Sequence, residues 1–141
     1  GFDVSVEALQ MASRNAQLLA TQVSFLQQNI LQSQPEDHNE WDIIVSNPPY
    51  VLKKEAEDLH PNVVQHEPHI ALFTPDNDPI LFYRVIGKLG MSWLKEGGLL
   101  FFEIHRDHGK TVQDMLNDLG YQDVRLKNDL RGNPRMIRAM K

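Results

Sequence analysis

The stretch Trp41–Ser46 (WDIIVS) is a compact apolar run followed at once by Asn47 and two consecutive prolines, Pro48 and Pro49. A run this short and this apolar suits a strand buried within a parallel sheet. Proline has no N–H to continue a ladder, and its φ is held near about −65°. The residue before a proline is pushed toward an extended conformation. The chain must therefore leave the sheet directly after Ser46, through a stiff turn.

The segments on either side alternate in periodicity. Val6, Leu9, Met11, Ala12, Ala16, Leu18 and Leu19 recur at helical spacing, which predicts a helix from Ser5, as N-cap, to about Leu19. Glu7 and Glu55 are acids near helix starts, where the dipole favours them. Val23 to Leu26 reads as a short strand, and Gln27 to Glu40, polar and containing Pro35, as loop. Lys53 to Asp76 is irregular with short helical turns. A helix then starts at Asp78 or Pro79, with Ile80, Leu81, Tyr83, Val85, Ile86, Leu89 and Trp93 on its apolar face, and Gly97-Gly98 ending it. Leu99 to Ile104 is a second buried strand. His108 to Leu119 is a helix closed by Gly120, and Tyr121 to Leu126 and Met136 to Met140 are final strands. The expectation is an α/β fold: a mostly parallel sheet ending in an antiparallel pair, with ligands at the carboxyl ends of its strands.

Composition narrows the class. The 141 residues suffice for one domain with a core and are too few for two full ones. There is no cysteine, which excludes thiol redox chemistry and leaves any zinc site to His and carboxylates. A formal charge of −5 argues against a protein held to nucleic acid by phosphate neutralisation. Apolar runs such as Gly97 to Phe102 are too short to span a bilayer, and Gly1 to Leu9 lacks the regions of a signal peptide. A soluble cytoplasmic protein is the expectation.

Chemistry concentrates at Asn47-Pro48-Pro49-Tyr50. An NH2 group has two N–H donors, and the Asn47 side-chain oxygen and the Pro48 carbonyl could accept one each. Tyr50 can wall a planar group. The bland alternative is a strand terminator with a turn-capping asparagine, and placement after a buried strand weighs against it.

WDIIVSNPPY resembles the signature of amino-group methyltransferases. Further residues extend the likeness: Phe2-Asp3-Val4-Ser5 with Glu7-Ala8-Leu9 and Asn15-Ala16, His66-Glu67-Pro68 with Ala71-Leu72-Phe73, Leu94 to Ile104 (LKEGGLLFFEI), and Asp129 to Arg135 (DLRGNPR). Together they resemble the HemK/PrmC family of protein-(glutamine-N5) methyltransferases along nearly the whole chain. The resemblance implies a Rossmann-like fold of class I, S-adenosylmethionine as cofactor, and peptide chain release factors as partners, methylated on a glutamine side chain. It implies Asn47, Pro48, Pro49 and Tyr50 as catalytic residues. Asp3 would bind the cofactor's ribose hydroxyls, Asn29 would lie near its adenine, and Asn47 would lie beside both cofactor and substrate. Glu67, with Asn47, Pro48 and Tyr50, would line the substrate pocket.

The family's glycine-rich first motif belongs upstream of Asp3 and is not in this sequence. The chain thus reads as the C-terminal part of a single catalytic domain, 1–141, with its first strand missing. Strand edges beside WDIIVS would then be exposed, giving weak cofactor binding and self-association. Glu103 reads as a supporting residue, while Arg131 and Arg135 would hold a loop or touch an acidic partner. No metal is expected: His60, His66 and His69 near Glu67, and His105 with His108, match no ligand motif. Two other readings stay open, a DNA or RNA adenine methyltransferase, which shares Asn-Pro-Pro-Tyr, and a noncatalytic binding module.

Overall fold

The first helix starts where its cap residue predicts. In a computed structural model describing residues 1–34, 40–58, 62 and 68–141, the Ser5 Oγ accepts the Ala8 N–H at 3.1 Å, and the Asp3 Oδ1 accepts the Ser5 N–H at 2.8 Å. These bonds satisfy donors that a helix start leaves orphaned. The helix, α1 (Val6–Leu18), ends with Ala20 at φ 51. There the Thr21 N–H reaches the Ala16 carbonyl and the Ala20 N–H the Gln17 carbonyl, the double bond set of a Schellman end. On either side, β1 (Phe2–Asp3) pairs in parallel with β2 (Leu26–Gln27). The strand expected at Val23 to Leu26 is therefore displaced towards Gln27, because β1 offers partners only at Phe2 and Asp3. These elements form one of two units, Gly1–Gln34.

The second unit, Pro35–Lys141, is built on a four-stranded sheet of β3 (Trp41–Ser46), β6 (Leu94–Glu103), β8 (Pro134–Met140) and β7 (Gln122–Asn128), in that order. β3 runs parallel to β6, and β8 is antiparallel to both β6 and β7. A smaller parallel pair joins β4 (Val51–Leu52) to β5 (Phe73–Thr74), which follows the short helix α2 (His69–Leu72). Helix α3 (Leu81–Trp93) packs on β6, and α4 (Gly109–Asp118) on β7 and β8. The core lies between these helices and one sheet face: Leu100, Phe102 and Ile104 from β6 and its end, Ile137 and Ala139 from β8, Tyr83, Leu89 and Trp93 from α3, Val112 and Leu116 from α4. Gly90 allows the closest approach. A Cβ there would collide with the Tyr121 hydroxyl, which is buried and donates to the Gly87 carbonyl at 2.9 Å.

Two expectations are corrected here. WDIIVS is a strand, as predicted, but is not buried on both faces: Trp41 is 46%, Ile43 55% and Val45 75% exposed. β3 is an edge strand, paired only with β6 among the described residues, and its Trp41–Ile43–Val45 side is the sheet face opposite the core. Gly97-Gly98 do not end a helix. α3 stops at Trp93, and the strand begins at Leu94, whose backbone is already extended. The glycines sit in an irregularity of β6, where Trp41 pairs with Leu94 but Ile43 with Leu99. Gly97 there has φ 77, a conformation that glycine adopts without cost.

Candidate active site

Parallel pairing puts the carboxyl ends of β3 and β6 side by side. Their last pair is Ser46 with Phe102, and one residue further on stand Asn47 and Glu103. β8 runs antiparallel to β6, so its first residues arrive at that same end, where the Ile104 N–H donates to the Arg135 carbonyl at 2.9 Å. Three segments far apart in sequence thus supply one cluster.

Asn47 is exposed and Pro48 is buried, so the turn is anchored by the pyrrolidine ring while the carboxamide faces out. Among the described residues, neither the Asn47 carboxamide nor the Pro48 carbonyl has a hydrogen-bond partner in the protein. Both acceptors are free among the described residues. Pro49 and Tyr50 are half-buried. The Tyr50 hydroxyl donates to Glu103 Oε1 at 2.9 Å and accepts from Arg135 Nη1 at 3.5 Å. Burial first, and then the Glu103 carboxylate, hold the Tyr50 phenol above its ordinary pKa. Arg135 lies 3.9 Å from Glu103 and 3.9 Å from Asp129. At that distance, with 33% of Arg135 and 39% of Glu103 exposed, their ion pair is worth at most about 1 kcal/mol. Asp129 itself is held by the turn it builds: its Oδ1 accepts the N–H groups of Arg131 and Asn133, and the Asn133 N–H does most to lower its pKa.

His105, just past β6, tilts against Tyr50 with ring centroids 6.0 Å apart, and against His108 at 5.3 Å. Burial lowers its pKa, opposed by the charges of Glu55 and Asp107. Its backbone N–H donates to the Tyr83 hydroxyl at 3.3 Å, tying the strand end to α3. Glu55, expected to favour a helix start, stands in the first turn of a 3₁₀ segment (Lys53–Asp58), and its Oε2 accepts the Leu52 N–H.

Asp3 and Asn29 belong to the first unit. Asp3 is exposed at the end of β1 with one oxygen engaged by Ser5. Asn29 is exposed, and its side-chain oxygen caps a 3₁₀ turn by accepting the Leu31 N–H at 3.0 Å. Glu67, His60 and His66 lie outside the described residues. Among those described, no group of three or more His, Asp or Glu could hold a metal ion, and no helix is long and apolar enough to cross a membrane. An open groove of about 500 Å³, lined by Lys53, Ala56, His69, Ile70 and Phe73, lies in the second unit and is not lined by Asn47 to Tyr50.

The structure sets Tyr50, on the turn that carries Asn47 and Pro48, against two residues with lesser parts in the sequence pattern, Glu103 and Arg135. Their signals were present: Glu103 is the last residue of the strand that pairs with WDIIVS, and Arg135 follows the proline that opens β8.

Comparison with known proteins bears on the same residues. A family model described as Methyltransferase small domain matches residues 1–69. A release factor glutamine methyltransferase of Flavobacterium psychrophilum is 47% identical over 98% of this chain and 48% of its own length. One of Bacteroides thetaiotaomicron is 41% identical over 98% of this chain and 50% of its own. The chain thus spans about half the length of the curated relatives it matches. Among solved structures, a release factor-specific protein-(glutamine-N5) methyltransferase from Alicyclobacillus acidocaldarius superposes with TM-score 0.51 at 25% identity, over 93% of this chain and 72% of that one. A magnesium protoporphyrin IX methyltransferase from Synechocystis, solved with bound SAM, shares the fold alone: TM-score 0.57 at 14% identity, over 100% of this chain and 58% of that one. With the Asn-Pro-Pro-Tyr turn at its strand ends and a mixed sheet of this architecture, the chain is similar along nearly its whole length to about half of each of these two curated release factor glutamine methyltransferases.

Proposed function

We propose that the complete natural polypeptide containing this chain methylates the side-chain amide nitrogen of a glutamine, in the Gly-Gly-Gln segment of a peptide chain release factor, using S-adenosylmethionine. The observation that carries this reading is the pair of free acceptors at Asn47 and Pro48, on a proline-anchored turn at the joint end of two parallel strands. A release factor as substrate places the reaction in the cytoplasm.

The residues fit the cofactor. Asp3 has one oxygen tied to Ser5, and its other oxygen is free for ribose hydroxyls. Asn29 uses its oxygen for capping and keeps its NH2 for a ring nitrogen of adenine. When bound, S-adenosylmethionine supplies a methyl carbon made electrophilic by its sulfonium. A glutamine amide nitrogen is a poor nucleophile because its lone pair is delocalised into the carbonyl. Asn47 and Pro48 would hold both of its hydrogens, orient the lone pair toward the methyl carbon and stabilise positive charge growing on nitrogen. As the N–C bond forms the S–C bond breaks, the thioether product leaves, and nitrogen gives up one of its protons to water. Tyr50 walls the amide plane. Positioning and electrostatics carry the rate, and no strong base is needed.

The test is transfer of labelled methyl from S-adenosylmethionine by the complete polypeptide onto a release factor with its Gly-Gly-Gln glutamine intact or replaced, with DNA and RNA alongside. Label on the intact factor alone supports the reading. Label on nucleic acid instead transfers it to the adenine methyltransferases, and label on neither favours a noncatalytic binding role.

A further inference from the structure

Tyr50 is more than an aromatic wall, because its hydroxyl is engaged from two sides inside the protein. It has one hydrogen, given to Glu103 Oε1 at 2.9 Å, and it accepts from Arg135 Nη1 at 3.5 Å. Its only hydrogen goes to Glu103, so the hydroxyl has none to donate to a substrate. The two tethers come from the end of β6 and the start of β8, while Tyr50 itself follows β3. A ring held at its far end from two strands cannot swing about its Cα–Cβ bond, and reacting groups lose rate steeply when displaced by about 1 Å.

We infer that Glu103 and Arg135 are positioning residues for methyl transfer: by engaging the Tyr50 hydroxyl from two strands they fix the place of the ring against which the substrate amide lies beside Asn47. This rests on the proposed function. Arg135 is aimed in turn by Asp129, whose carboxylate is fixed by two backbone N–H groups of the β7–β8 connection. Glu103 and Arg135 are each about a third exposed and their mutual contact is loose, so the pair adds little to folding. Its effect is expected in turnover.

The inference is tested in the complete polypeptide with Tyr50→Phe, Glu103→Ala, Glu103→Gln and the double variant Tyr50→Phe/Glu103→Ala. If Glu103 acts through the Tyr50 hydroxyl, each of Tyr50→Phe and Glu103→Ala lowers kcat roughly 10-fold, and the double variant is no slower than Tyr50→Phe. Glu103→Gln recovers most of the rate, since an amide oxygen still accepts the hydroxyl hydrogen. Binding of S-adenosylmethionine, measured by calorimetry, stays as in the parent. Losses that multiply in the double variant, a Tyr50→Phe enzyme of full rate, or a Glu103→Gln enzyme as slow as Glu103→Ala would each overturn it. Should Glu103→Ala fail to fold, Arg135→Ala alone and combined with Tyr50→Phe form the equivalent cycle on the other tether, with losses that multiply again overturning the inference. A parent protein that labels no release factor sinks the proposed function; an active parent with multiplying losses sinks only this inference.

Discussion

The hydroxyl of Tyr50 donates to Glu103 Oε1 at 2.9 Å across a sequence separation of 53 residues. This bond joins the turn that carries Asn47 to the end of the neighbouring parallel strand, and through Arg135 to the start of β8. The consequences are open to measurement.

Asn47 offers one of the two acceptors for the substrate amide. Replacing it with Ala in the complete polypeptide is expected to lower single-turnover methyl transfer by on the order of 10²-fold, as for loss of one preorganised polar contact. An unchanged rate would reject Asn47 as the positioning group.

The ionisation of Tyr50 reports its partners with opposite signs. Glu103 raises the phenol pKa by hydrogen bond and charge, and Arg135 lowers it. Tyrosinate absorbance followed against pH should show the first-titrating tyrosine shift down in Glu103→Gln and up in Arg135→Gln. Tyr83 and Tyr121 are held higher by burial and do not interfere. Shifts of the same sign in both variants would contradict the geometry.

Burial depresses the pKa of His105, so the unfolded chain binds a proton there more readily than the folded one. The stability that follows is complete above the ordinary imidazole value of about 6.5 and is lost as pH falls through the folded value. Urea unfolding from pH 8 to pH 5 should show this loss for the parent. His105→Gln should show a shallower slope, and parallel slopes would remove His105 as a cause.

Gly90 faces the buried Tyr121 hydroxyl with no room for a methyl group. Gly90→Ala should cost about 1–3 kcal/mol in denaturant unfolding, as overpacking does. Tyr121→Phe, which removes the colliding oxygen, should recover part of that loss. A neutral Gly90→Ala would mean that α3 moves freely over β7.

Among the described residues β3 has no partner on its outer edge, and Trp41, Ile43 and Val45 are exposed beside it. Such edges pair with one another unless covered or charged. The polypeptide Gly1–Lys141, produced as such, should sediment as a concentration-dependent mixture, and Val45→Lys should shift it toward monomer. Identical profiles for both would place the contact elsewhere or show that none forms.

Local chemistry was legible from the amino acids alone wherever one segment decides its own fate. Ser5 caps α1 because its hydroxyl and the Ala8 N–H are three residues apart. Gly120 ends the last helical pattern because a positive φ suits it, at 98. The Asn-Pro-Pro-Tyr turn follows from two missing donors and two fixed torsions. What depends on neighbours was not legible. WDIIVS has the composition of a strand buried on both faces, yet the sheet leaves one of its faces open, because burial is set by what packs above a strand and not by its own residues. Gly97 and Gly98 suit a helix end as well as an irregular strand, and only the register of β3 against β6 chose the strand. The meeting of Tyr50, Glu103 and Arg135 required the parallel pairing of β3 with β6 and the antiparallel return of β8. Long-range pairing alone brings those three to one place, and no local preference encodes it.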